Sequence, residues 1–193
     1  ARRCTEYLTL GIDLEWNDGV HAELVAVVDA EAGSVVHWTG KSFPMAAEAH
    51  RLIQVTDLQS HYFEGAGERV LLLCSHDLSI YNPRDRRTLS EGSPRWQRCR
   101  DMDALLASHR PTLVLQHSGN TDSAQPWADA WKNLIKQAPS ISGWASGIAY
   151  RSRDEGDPPR YPLAEVLLGT RAPNHVADVI VAAQPARSRA PRR

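Results

Sequence analysis

Two short apolar runs, Val70–Cys74 and Thr112–Gln116, are separated by a segment in which Trp96, Cys99, Met102 or Asp103, and Leu106 recur at helical spacing. Strand, helix and strand in that order leave the two strands parallel, because only a crossover long enough to hold a helix brings the chain back to the same end of a sheet. The later part of the chain is thereby committed to an α/β fold with a mostly parallel sheet and helices on both faces. Each run stops in polar residues that are costly to bury without partners: Ser75-His76-Asp77 follow the first, and His117 to Asp122 follow Gln116.

The remaining elements follow from pattern and punctuation. Tyr7–Trp16 reads as a strand, and Ala22–Trp38 as a hairpin turning over Asp29–Gly33, which adds an antiparallel part and makes the sheet mixed. Ser42 and Pro44 signal a helix start, with Ala46, Ala49, Leu52, Ile53 and Val55 at helical spacing until Gly65 and Gly67. Residues 79–93 read as a polar loop long enough to act as a lid, and Pro94 opens a helix that ends at His109-Arg110-Pro111. Asp122 or Ser123 caps a helix carrying Trp127, Ala130, Trp131, Leu134 and Ile135. Ile141–Tyr150 is a strand, 151–160 a loop, Pro162–Leu168 a short helix and Asp178–Ala183 a last strand. One domain is expected over 1–183, followed by a disordered basic tail over 184–193.

Charge and cysteine usage narrow the classes of function. With 22 Lys and Arg against 23 Asp and Glu, net charge −1, there is no global basic field of the kind that grips long duplexes. Cys4, Cys74 and Cys99 are odd in number and form no C-x-x-C pair, which points to a reducing cytoplasm rather than a disulfide framework. No apolar run reaches the length of a membrane span.

Ligands of open α/β sheets sit beyond the carboxyl ends of parallel strands. Three strands bring polar residues to that edge: Asp13 and Glu15 from the first, Ser75, His76 and Asp77 from the fourth, and Gln116 to Asp122 from the fifth. Carboxylates gathered there suit Mg²⁺ or Mn²⁺, and histidines suit zinc. A metal-free version uses His76 or His117 as general base. Arg84, Asn120 and Thr121 are the candidates for substrate contact, Arg84 because it lies near His76-Asp77 in sequence. Asp122 has an equally ordinary role as a helix cap. Cys74 ends an apolar run, which raises a thiol pKa and argues against a nucleophile. Walker, dinucleotide-binding, G-x-S-x-G and H-E-x-x-H motifs are lacking.

GIDLEW, from Gly11 to Trp16, resembles the first motif of the DEDD 3′–5′ exonucleases of the ribonuclease H-like superfamily, and the order of elements resembles that superfamily's core. The resemblance implies metal ligands at Asp13, Glu15 and Asp77, with His117 to Asp122 as H-x-x-x-x-D, or Tyr150 to Asp154 as Y-x-x-x-D, in the place of the last motif. The leading expectation is a metal-assisted hydrolase of a phosphoester, a nucleotide or short single strand, using His76, Asp77 and His117 as catalytic groups and Asp13, Glu15, Asp77 and Asp122 as ligands. The alternatives are a non-catalytic nucleotide- or anion-binding regulatory module and a metal-free histidine-based hydrolase.

Overall fold

The structure, a computed structural model, describes residues 5–45, 47–118, 124–150, 163, 166 and 175–182. Two sheets are present instead of one. Strands β1 (Tyr7–Glu15), β2 (His21–Asp29) and β3 (Ser34–Gly40) form an antiparallel sheet in the order β1-β2-β3. Strands β4 (Tyr62–Gly65), β5 (Glu68–Cys74), β6 (Leu113–Ser118), β7 (Gly143–Tyr150) and β8 (His175–Ala182) form the second in chain order, parallel from β5 onward.

A mixed α/β fold is what the pattern predicts; the single mixed sheet is corrected. The edge of β5 that the N-terminal strands would need is taken by β4, its antiparallel hairpin partner. Ala66 at φ 53° and Gly67 at φ 77° supply the two left-handed residues that a tight two-residue hairpin demands. The three-stranded sheet instead lies over β5 and β6 through Val27, Val70 and Leu72, with Tyr7, Phe63, Leu113 and Leu115 at the margin.

The opposite face of the parallel sheet carries the main core. Leu71, Leu73 and Val114 meet Cys99, Met102 and Leu106 of α2 (Pro94–His109) and Trp127, Trp131 and Leu134 of α3 (Ala124–Gln137). Trp131 stands edge-on to Trp127 and Trp144, at centroid distances of 6.2 and 5.6 Å. Helices therefore cover one face and a sheet covers the other, among the described residues. The expectation of helices on both faces, whether ribonuclease H-like or Rossmann-like, does not hold.

Two local expectations also change. Residues 47–57 form turns and extended chain where a helix is predicted: Leu52 bridges His21, and the Val55 N–H donates to the Lys41 carbonyl, so strand-like bonds to the sheet margin replace helical ones. Ser79–Ser93 is no lid. A 3₁₀ segment, Ser75–Tyr81, buries Leu78, Ile80 and Tyr81, and α1 (Pro83–Thr88) starts from an Asn82 cap with Pro83 at its first position. No helix among the described residues is long and apolar enough to cross a membrane.

Candidate active site

Alternation along β5 and β6 aims two reactive side chains at the same space. Leu71 and Leu73 face the helices, whereas Val70 and Leu72 face the three-stranded sheet, and Cys74 continues the second set. On β6, Leu113 and Leu115 face the sheet and His117 continues them. Cys74 and His117 are Cα partners in the parallel ladder, so the thiol and the imidazole leave the same face one strand spacing apart, about 4.8 Å.

The three-stranded sheet roofs this point. Gly11 of β1 lies against His117: a Cβ there would stand 3.3 Å from His117 Nδ1, tighter than ordinary contact, so glycine leaves the ring its room. Asp13 and Glu23 are Cα partners on β1 and β2, and the fields of both reach Cys74. Gly40 closes the end of β3 onto β2, since a Cβ there would lie 2.6 Å from the Glu23 carbonyl. Lys41 follows directly, with its side chain 1% exposed and Nζ 2.6 Å from Glu23 Oε1 and 2.7 Å from Glu48 Oε1. Glu48 is oriented in turn by the Met45 N–H, at 2.8 Å.

Each titrating group has an identifiable cause. Burial pushes the Cys74 thiol far up, the carboxylates of Asp77, Glu23 and Asp13 push the same way, and Lys41 opposes them. Lys41 sits above its ordinary range: burial pulls it down, and the two glutamates outweigh that. Glu48 sits below its range because Lys41, the Met45 N–H and the field of His76 outweigh its own burial. Burial alone lowers His117 from its ordinary 6.5, which keeps the imidazole neutral.

A stability consequence follows for His117. The unfolded chain takes up its proton near pH 6.5 and the folded chain only below that, so folding stability should be complete above 6.5 and decline as pH falls toward the lowered value. In thermal melts across that window, His117→Gln should flatten the slope; an unchanged slope would locate the proton uptake elsewhere.

Asp77 has a different task from the predicted one. It is fully buried, and Oδ1 accepts from the Ser42 N–H at 2.9 Å, the Ser42 hydroxyl at 3.1 Å and the Phe43 N–H at 2.7 Å, while Oδ2 accepts from the Cys74 N–H at 3.3 Å. Asp77 thus ties the segment carrying Lys41 to the strand end carrying Cys74. Burial raises its pKa, against His61 and the Ser42 and Phe43 donors.

Of the other expected residues, Asp13 faces the site, Glu15 is exposed at the end of β1, and His76 is half-buried beside Glu48. Arg84 is exposed on α1, its N–H bound by Asn82 Oδ1. Asn120, Thr121, Asp122 and Asp154 lie outside the described residues. Gln116 turns to the helix side, where its Oε1 accepts from Trp127 Nε1 at 3.2 Å and the Ser146 hydroxyl at 3.1 Å. Glu23, Lys41 and Glu48 escape a sequence reading. The one available signal is that Lys41 is the sole Lys, Arg, Asp or Glu between Glu31 and Glu48.

The divalent-ion expectation is corrected on this geometry. His21, Glu23 and Glu48 offer ligand atoms within 4.8 Å of one another, the one such group among the described residues, but both carboxylates already hold the Lys41 ammonium. The Asp77 carboxylate is committed to four donors, and β1 lies in a different sheet from β5, so the Asp13, Glu15 and Asp77 ligand set of a ribonuclease H-like centre is not assembled.

No family model matches the chain. No curated protein matches it. Among solved structures it is similar to an amidase from Nesterenkonia sp. AN1 that carries an active-site cysteine, at 12% identity and TM-score 0.49, over 74% of this chain and 48% of that one. It is also similar to a carbon–nitrogen hydrolase from Helicobacter pylori G27, at 10% identity and TM-score 0.49, over 78% and 49%. A glutamine-dependent NAD⁺ synthetase from Acinetobacter baumannii aligns at 16% identity and TM-score 0.43, over 73% and 24%. The chain spans about half the length of the first two and about a quarter of the third. The ribonuclease H-like resemblance, the phosphoester reaction and the Mg²⁺, Mn²⁺ or Zn²⁺ cofactor expected from the sequence are corrected: the Asp13, Glu15 and Asp77 ligand set is not assembled, and the solved structures that match are not named as exonucleases.

Proposed function

We propose that the chain carries a thiol-dependent acyl-transfer centre that hydrolyses carbon–nitrogen bonds of the amide type, with Cys74 as nucleophile. One observation carries this reading: Cys74 and His117 leave neighbouring strands in register into one space, beside an ammonium held between two carboxylates. A buried thiol with a raised pKa rests protonated, so its proton must depart as it attacks. A neutral imidazole one strand away is suited to accept it.

Sγ forms a bond to the carbonyl carbon while the thiol proton passes to His117, and negative charge gathers on the carbonyl oxygen within the field of Lys41. The C–N bond then breaks, the imidazolium returns its proton to the leaving nitrogen, and a thioester remains on Cys74. Water deprotonated by the same imidazole releases the acid and regenerates the thiol. Asp77 is a positioning residue that fixes Lys41 relative to Cys74.

The test is ammonia release from a panel of primary amides, combined with acid quench and peptide mass mapping. An acyl mass increment on the peptide containing Cys74 is the expected result. Turnover with no increment, and unimpaired when Cys74 is replaced, would overturn the assignment, as would the absence of both turnover and increment across the panel.

A further inference from the structure

Behind the reactive pair, the space between the two sheets continues as an open groove of about 790 Å³, within the size range of small-molecule sites. Alternation ties the groove to the pair. Leu72 and Leu115, which line it, are Cα partners two residues before Cys74 and His117 on the same faces of β5 and β6, about 7 Å back along each strand. Val70 and Leu113 repeat the step.

The groove and the imidazole share one passage under β1. Tyr7 and Thr9 border the groove, and Gly11, next on that face, lies against His117. Leu113, Leu115 and His117 are all half-buried, so this face of β6 keeps partial exposure from the groove to the imidazole. Val27, Val70 and Leu72 form a closed apolar wall behind it, at 1%, 6% and 0% exposure. Polarity differs between the two directions. Inward from the pair the side chains are aliphatic, whereas in the other direction β1 continues to Asp13 and Glu15, both exposed.

We infer that the groove is the acyl subsite of the amide-hydrolysing centre proposed above, and that its substrates are amides of aliphatic acids of medium chain length. The inference rests on that reading. With the carbonyl carbon at Sγ, the alkyl chain turns inward past Leu72 and Leu115 and lies beneath Thr9, while the leaving nitrogen stays beside His117. From Cys74 back to Val70 the strand offers about 13 Å of apolar surface, which ends where Glu6 and Glu68 border the groove. Contact with the chain is the same in substrate and transition state, so it acts on KM more than on kcat.

The experiment follows ammonia release from acetamide, butanamide, hexanamide and octanamide by the whole chain. kcat/KM should rise about two- to fourfold per added methylene, so that hexanamide exceeds acetamide by at least about tenfold, mostly through KM. Thr9→Trp, which puts an indole into the groove, should cut that ratio below about threefold. The wild-type series decides without any variant: similar kcat/KM for all four amides would overturn this inference and leave the amide reading standing. A chain-length preference retained in Thr9→Trp, with its fold checked by circular dichroism, would overturn it too, because the chain would then lie elsewhere. No turnover of any of the four would overturn the amide reading and this inference together.

Discussion

Replacing Lys41 by methionine is expected to lower folding stability by about 3–5 kcal/mol at neutral pH, read from urea denaturation. The ammonium is 1% exposed and bridges Glu23 and Glu48, whose side chains are only 15% and 21% exposed. Methionine fills most of the volume but leaves two carboxylates facing each other with no counter-charge, which is the costly way to break a buried ion pair. The pH dependence gives the cause. Glu48 is lowered from 4.5, so its share of stability is present above 4.5 and fades as pH falls through the lowered value. Lys41 is raised from 10.5, so its share holds below 10.5 and fades as pH climbs through the raised value. The wild-type protein should therefore hold this contribution between about pH 4.5 and 10.5, whereas in Lys41→Met the unpaired carboxylates bind protons more readily and stability should recover on acidification. Adding Glu23→Gln and Glu48→Gln should restore most of the loss at pH 7. A loss under about 1 kcal/mol, or a triple variant no better than the single one, would show that the cluster does not act as a buried pair network.

The parts of this molecule that sequence patterning exposes are those governed by local periodicity. The apolar runs of β5 and β6, the α2 and α3 stripes and the opening hairpin each follow from residues a few positions apart. The placing of His117 at the end of a parallel strand is visible in the same way, because the apolar run before it marks the strand. What patterning does not carry is the choice between pairing partners. The same β1 side chains are compatible with one sheet or with a separate one, and the choice was made by β4 taking the β5 edge through a hairpin turn at Ala66-Gly67. Nor does it carry the Glu23–Lys41–Glu48 cluster, whose members are brought together by the β2–β3 ladder and the chain that follows it. Asp77 shows the third limit: an aspartate at a strand end has the same local signature whether it binds a ligand or, as here, ties down the Ser42-Phe43 backbone. For Cys74 the sequence predicts the raised thiol pKa correctly, yet burial alone does not decide reactivity when an imidazole stands on the next strand.

Cys74→Ser should leave the fold intact and reduce amide hydrolysis by at least about 10³-fold, with loss of the acyl adduct. The substitution changes one atom in a side chain that is 4% exposed, so the surrounding packing has little reason to move. The chemistry has every reason to fail. A hydroxyl surrenders its proton far less readily than a thiol, and the only nearby base proposed for it, His117, is held neutral by burial and is correspondingly weak. His117→Gln should cost about 10²–10⁴-fold, and combining it with Cys74→Ser should add almost nothing, because two groups serving one proton transfer are not independent. The wild-type rate should hold below pH 6.5 before it falls, tracking the lowered imidazole. Cys99, 4% exposed on the core-facing side of α2, provides the control: Cys99→Ser should retain the adduct and the rate. Multiplicative losses in the double variant, or an adduct that follows Cys99, would remove Cys74 and His117 from the reaction.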